Sequence, residues 1–254
     1  MGKIESVKLS RKELDSGFIP FNYVMVEAEK TAEGKRSKGG IIVGHDEDAT
    51  FYSSEESPDV SHEADIAQVC AKVYKVPNRL YFNKEDRTNS MSWDCDMELS
   101  VGDKVWFGVI ESRNATAIEC EDHLYKLIPY SDCYVAKREI PTGSWDVTVN
   151  ICLNGYVLLE PVFIENKSIL AISPKGEVDR TRGIVRYAGK PNREYLKDQY
   201  IDFPYLEDGD LVLFSPNTSP FLLERKRYLA EFEGDKLFWV VQRRRISIIL
   251  EKGK

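Results

Sequence analysis

"LSVGDKVWF", residues 99–107, returns as "LEDGDLVLF", residues 206–214. Each copy puts a Gly-Asp turn directly before an alternating aliphatic and aromatic run. Glycine supplies the positive φ such a turn needs, and β-branched and aromatic residues favour the strand that follows. Further matches lie outward from this pair. "VPNRLYF" (76–82) is matched by "KPNREYL" (190–196), "YVMVE" (23–27) by "YVLLE" (156–160), and "LYKLI" (124–128) by "LFWVV" (237–241). All four matches occur in the same order in both halves, which marks an internal duplication.

The repeated unit is β-rich. The runs YVMVE, AQVCAKVYKV, DKVWFGVI, YVLLEP, DLVLF and KLFWVV are bounded by Gly, Asp, Asn or Pro, and helical periodicity is almost absent. Only residues 6–15 hint at a helix. The fold class expected is all-β, with two small β-barrels in tandem. A tail at 1–17 precedes a first barrel at 18–138 and a second at 139–254. They join near residues 137–144, where Pro141 and Gly143 break regular structure.

The largest difference in length between the two copies lies at one place. The offset is 133 positions at Tyr23/Tyr156 and 114 at Arg79/Arg193, so the second copy is 19 residues shorter between its first strand and its Pro-Asn-Arg element. In the first copy that interval holds residues 28–65, with eight acids and no Lys or Arg between Lys38 and Lys72. Such a segment buries too little apolar surface to offset its ordering entropy, so it is expected to be mobile and cut first by protease. Within it stands Gly39-Gly40-Ile41-Ile42-Val43. The triplet reads either as an exposed anchor for a groove on another protein or as a strand edge folded back on the barrel.

The series resembles the GroES-type co-chaperonins, the ring-shaped lids of GroEL chaperonins. Ile19-Pro20-Phe21-Asn22-Tyr23-Val24-Met25-Val26 is similar to the family's opening strand, and Gly39 to Val43 to its mobile-loop anchor. Val101 to Phe107 and Ser131 to Ala136 are similar to its later strands, as are Thr181 to Gly189 and Asp208 to Phe214 in the second copy. The resemblance covers nearly all of the chain after residue 17. It implies a homo-oligomeric ring that caps a nucleotide-bound GroEL-type chaperonin around a non-native client, with Gly39, Gly40, Ile41, Ile42 and Val43 as the chaperonin-binding residues. Two barrels in one chain resemble the tandem forms of chloroplasts, and phage-encoded lids also depart from the single-barrel type. Residues 81–98 take the position of the family's roof hairpin. Ile169-Leu170-Ala171-Ile172 is a candidate second anchor, on a shorter connection without Gly-Gly.

Other functions find less support. A net charge of −7 disfavours nucleic acid, and no apolar run reaches the ~20 residues of a membrane span. The N-terminal residues lack the apolar block of a secretory signal. Five cysteines without a CxxC pair read as reduced thiols of a cytoplasmic protein. His45 and His62 lie among carboxylates without a fixed cage, so no metal is expected. Asp208-Gly-Asp210 reads as turn chemistry, because its twin is Val-Gly-Asp. Arg243 to Arg245, read as strand, would alternate between faces; Arg225-Lys-Arg227 is a second basic cluster. Zinc-type alcohol dehydrogenases share this barrel, but there is no GxGxxG and no βαβ alternation. An enzyme and a cofactor are therefore not expected. The rival reading is a structural ring or decoration subunit of a larger assembly, such as a phage particle.

Overall fold

Asp103 and Asp210 explain why both Gly-Asp stretches start strands. Gly102 and Gly209 have φ of +94° and +90°, and their N–H groups donate to the Val73 and Val185 carbonyls, each at 2.8 Å. The aspartates that follow are buried. The Asp103 carboxylate accepts the Ser100 N–H at 2.7 Å and the Arg138 guanidinium at 2.8 and 2.7 Å. Asp210 accepts the N–H groups of Glu207 and Gly253 at 3.0 and 2.9 Å and the Lys252 ammonium at 3.0 Å. Burial pushes the Asp210 carboxyl up, but these donors outweigh it and hold it below its ordinary value. The Asp210 carboxylate is thus engaged in its turn, as the sequence led us to expect, and Asp103 matches it. Gly102→Ala and Gly209→Ala should each cost about 1–2 kcal/mol through the positive φ alone. Gly209→Ala should cost more, because its Cβ would lie 3.2 Å from Gly253 Cα, whereas nothing lies within 4 Å at Gly102. Thermal unfolding of the two variants checks that order.

The computed structural model describes residues 7–17, 19, 21–28, 68–83, 85–86, 90–91, 93–108, 115–143, 146–164, 177–190, 193–196, 199–202, 205–215, 221–222 and 238–253. Among the described residues the fold is all-β apart from α1 (Arg11–Ser16) and two short 3-10 turns. The first sheet contains β1 (Val7–Lys8), β2 (Tyr23–Ala28), β3 (Gln68–Lys75), β4 (Lys104–Gly108), β5 (Thr116–Cys120), β6 (His123–Pro129), β7 (Cys133–Pro141) and β8 (Asp146–Cys152). Its order is β1-β5-β6-β2-β3-β4-β7-β8. The second contains β9 (Tyr156–Ile164), β10 (Glu177–Ala188), β13 (Leu211–Phe214), β14 (Phe221–Leu222), β15 (Trp239–Gln242) and β16 (Ile246–Glu251), ordered β14-β15-β9-β10-β13-β16. A separate hairpin joins β11 (Arg193–Leu196) and β12 (Gln199–Asp202).

The second order repeats the run β5-β6-β2-β3-β4-β7 strand for strand. The registers agree as well: Val24 faces Ile128 as Val157 faces Val241, and Ala71 faces Val105 as Gly183 faces Val212. The boundary expected at 138/139 falls inside β7. Pro141 and Gly143 do end that strand, but in a hairpin: β8 turns back along β7 from Asp146 to Cys152, opposite Pro141 to Val135. Residues 146–152, placed by sequence in the second half, therefore hydrogen-bond to the first sheet.

Alternation along the strands separates two faces. The inner face of the first sheet buries Val24, Val26, Val73, Val105, Phe107 and Ile128, and that of the second buries Val157, Leu159, Val185, Val212, Phe214 and Trp239. A third cluster joins the sheets. Cys70, Trp106, Val135 and Cys152 form one cross-strand row over β3, β4, β7 and β8. Val240, Leu158 and Tyr187 form another over β15, β9 and β10. The two rows pack together with Tyr134, Tyr156 and Phe238.

The helix expected near residues 6–15 forms as α1. Its N-terminus carries a capping box between Ser10 and Glu13. Lys75 Nζ caps its other end on the carbonyls of Leu14, Asp15 (2.9 Å) and Gly17 (2.7 Å). Leu14 is buried against Met25, Ile118, Cys120 and Tyr125, while Arg11 donates to the hydroxyls of Tyr74 and Tyr125. Together with β1, which pairs with β5, this segment is a strap across the outer face of the first sheet.

Residues 81–98 lie at the position of the family's roof hairpin, and the sequence left their form open. Their described part forms no paired strands; it folds inward, burying Met91 and packing Phe82, Cys95 and Met97 against the first core. At the matching position of the second copy β11 and β12 do form a hairpin. The alternating-strand reading of Arg243 to Arg245 also fails, because these residues form a 3-10 turn. Arg243 is buried and donates to the Gly189 carbonyl, and the Arg244 guanidinium lies 4.7 Å over the Trp93 ring. The five cysteines form no disulfide with one another, and burial pushes the Cys152 thiol up to about 12.

Candidate docking site

The connection that carries the candidate aliphatic anchor springs from one rim of the first sheet. β2 and β3 are adjacent and antiparallel, and their last shared rung is Glu27 opposite Lys72. Beyond it the two feet diverge. Ala28 pairs with Leu124 of β6, while β3 begins at Gln68, opposite Gly108 of β4. The connection, residues 29–67, therefore starts and ends on different neighbouring strands rather than closing on a shared rung.

The matching connection in the second sheet, residues 165–176, is built differently. β9 and β10 stay paired out to Ile164 opposite Glu177, so it closes directly on a rung. Fully extended chain covers about 3.3 Å per residue. Ile41 can thus stand up to roughly 40 Å from Ala28, whereas Ile169 can stand only roughly 16 Å from Ile164. Reach separates the two candidate anchors. Gly39, Gly40, Ile41, Ile42 and Val43 lie outside the described residues, as do Ile169, Leu170, Ala171 and Ile172. At the rim of the second sheet Phe163 and Ile164 are exposed, an apolar pair that the sequence reading did not single out.

A polar node that sequence reasoning also missed lies where the two halves join. Asn154, in the left-handed region at φ +53°, is fully buried. Its side-chain amide donates to the carbonyls of Tyr130 and Cys133 (3.0 Å), and its backbone N–H to Glu98 Oε2 at 2.9 Å. The Tyr130 hydroxyl donates to the same carboxylate at 3.1 Å. The Asn154-Gly155 dipeptide was the available signal, as a turn pair tolerating positive φ.

Burial raises the Glu98 carboxyl above its ordinary value, against the lowering effect of the Asn154 N–H and the Tyr130 hydroxyl. The folded state therefore holds this proton more tightly than the unfolded chain. Glu98 favours folding when protonated, and that contribution falls as pH rises from the ordinary carboxyl value of 4.5 through the raised folded value. Glu98→Gln keeps an acceptor for both donors and cannot ionise. The gap in melting temperature between Glu98→Gln and the parent should widen in favour of the variant as pH rises through that window, and a constant gap would contradict this role.

The chain matches no family model and no curated protein sequence.

Proposed function

We propose that this chain is a co-chaperonin of the GroES type, with two GroES-like barrels in tandem, which caps a GroEL-type chaperonin as a homo-oligomeric ring. The observation that carries this reading is the placement of Gly39-Gly40-Ile41-Ile42-Val43 in the long connection between β2 and β3. The matching strand orders of the two sheets support the tandem arrangement. Residues 29–67 present the anchor, and the sheets space the anchors around a ring.

Burying Ile41, Ile42 and Val43 in an apolar groove contributes roughly 1.5–3 kcal/mol each. Ordering the flanking chain costs about 1–2 kcal/mol per residue, so one anchor binds weakly. Several anchors on one ring act at high effective concentration once the first has docked. Binding is then firm when the partner presents a full ring of grooves, and it is released when those grooves change shape. The chain makes and breaks no covalent bond and needs no cofactor; nucleotide hydrolysis belongs to the chaperonin, and the non-native client sits in the cage. The site of action is the cytoplasm.

Co-sedimentation of the purified protein with a GroEL-type chaperonin, with and without nucleotide, tests the reading. Retention that depends on nucleotide is expected. Absence of retention in both conditions overturns it and leaves the structural-subunit reading.

A further inference from the structure

The joined sheets leave two matching half-interfaces unused by each other. Between the halves, the row Cys70-Trp106-Val135-Cys152 packs on the row Val240-Leu158-Tyr187. By register, each row has a counterpart on the other sheet. The counterpart of Cys70-Trp106-Val135 is Arg182-Leu213-Ile248. Ile248 is 51% exposed, Leu250 on the same strand is 45% exposed, and the Arg182 side chain is 54% exposed. β16 is also an edge strand: β7, its equivalent, has β8 on its outer side, whereas β16 ends the second sheet among the described residues. An apolar sheet edge of this kind is a template for another chain.

The counterpart of Val240-Leu158-Tyr187 is Leu127-Met25-Lys75 on the first sheet. The strap lies over this row. Leu14 packs on Met25 and Tyr125, with Leu127 alongside, and Lys75 binds the carbonyl end of α1. Residues 9–19 therefore occupy on the first half the place that the first half occupies on the second.

We propose that the β13–β16 face of one chain docks the Met25-Leu127 face of a second copy, head to tail, and that the strap must swing away for this to happen. The occupant is a second copy because the chain already makes this contact once within itself, between surfaces equivalent by register. A heterologous contact of this kind closes into a ring or runs on as a filament. The strap is held by buried Leu14 with Leu9 and Ile19 packed beside it, by the β1–β5 pairing and by the bonds of Arg11, Asp15 and Lys75, so it competes with docking. This inference deepens the lid reading by supplying its assembly step, and its test involves no chaperonin.

Sedimentation velocity of the full chain over a concentration series is the experiment. Leu14→Asp, which releases the strap, should shift self-association to at least tenfold lower concentration than in the parent. Adding Ile248→Asp on the exposed edge should abolish that association. Should Leu14→Asp lose its native far-ultraviolet circular dichroism, Ser10→Ala with Arg11→Ala is read instead, with a shift of about fivefold from loss of the cap. Equal association of the parent and the strap-released chain overturns the proposal, as does association that survives Ile248→Asp. Ile41→Ser with Ile42→Ser should assemble as the parent does, so a failed lid reading and a failed assembly remain distinguishable.

Discussion

Replacing Ile41 and Ile42 together by serine is expected to leave the fold intact and abolish capture by a nucleotide-bound chaperonin ring. The first core is built on Val24, Val26, Val73, Val105, Phe107 and Ile128, and the strands that bear them are set by their own rungs, so folding should survive the change. Docking should not. Each Ile→Ser change forfeits roughly 1.5–3 kcal/mol of apolar burial and places a hydroxyl in a groove that offers it no assured partner. Two changes per chain weaken each contact by about 3–6 kcal/mol, more than a hundredfold. Because the anchors of a ring act as a set, the loss compounds with every chain. Unchanged co-sedimentation of the double variant would remove Ile41 and Ile42 from the contact and with them the lid reading. A single change at Ile169 in the second copy should have a much smaller effect, since its reach from Ile164 is less than half that of Ile41 from Ala28.

The parts of this fold written in local chemistry could be read from the sequence. YVMVE, DKVWF, YVLLE and DLVLF are strands because β-branched and aromatic residues alternate behind a turn, and their repetition gave the strand correspondence that the registers bear out at Val24/Val157 and Val105/Val212. Pairings that depend on distant residues could not be read in the same way. Pro141 and Gly143 signal a break equally well for a linker or a hairpin, and only the β7–β8 rungs decide between them. Met91 and Trp93 sit in a polar stretch whose lack of period conceals that it folds into the core; no helix or strand rule applies to a segment held by Asn22 bonds to Tyr81 and by burial. Arg243 to Arg245 look like strand because of their neighbours, yet the chain turns there as it does at Tyr130 to Asp132. Of the candidate docking site, the Gly39-to-Val43 stretch and its position between β2 and β3 are legible in the sequence, while the divergence of the two feet needs the rungs.

Trp106→Ala should have the largest effect on the described structure, and its signature is loss of cooperativity rather than stability alone. Trp106 is fully buried in the cluster between the sheets, flanked on its row by Cys70 and Val135 and facing Leu158 and Val240. Truncating a buried tryptophan costs about 3–5 kcal/mol through lost transfer energy and the cavity left behind. Trp239, also buried, lies inside the core of the second sheet, so Trp239→Ala should cost a similar amount there. The two variants should nevertheless unfold differently. Without Trp106 each sheet keeps its own inner core but loses much of what couples it to the other, so the halves should melt in separate steps. In urea, far-ultraviolet circular dichroism and tryptophan fluorescence of Trp106→Ala should trace non-coincident curves, while in Trp239→Ala the damage falls within one half. One coincident transition for Trp106→Ala would mean that the Glu98-Asn154-Tyr130 node, rather than the facing rows, couples the sheets. A second consequence reaches function. If the pose of one half on the other sets the spacing of anchors around a ring, Trp106→Ala should weaken chaperonin capture even though Ile41, Ile42 and Val43 are intact, because anchors that cannot engage together lose the gain of acting as a set.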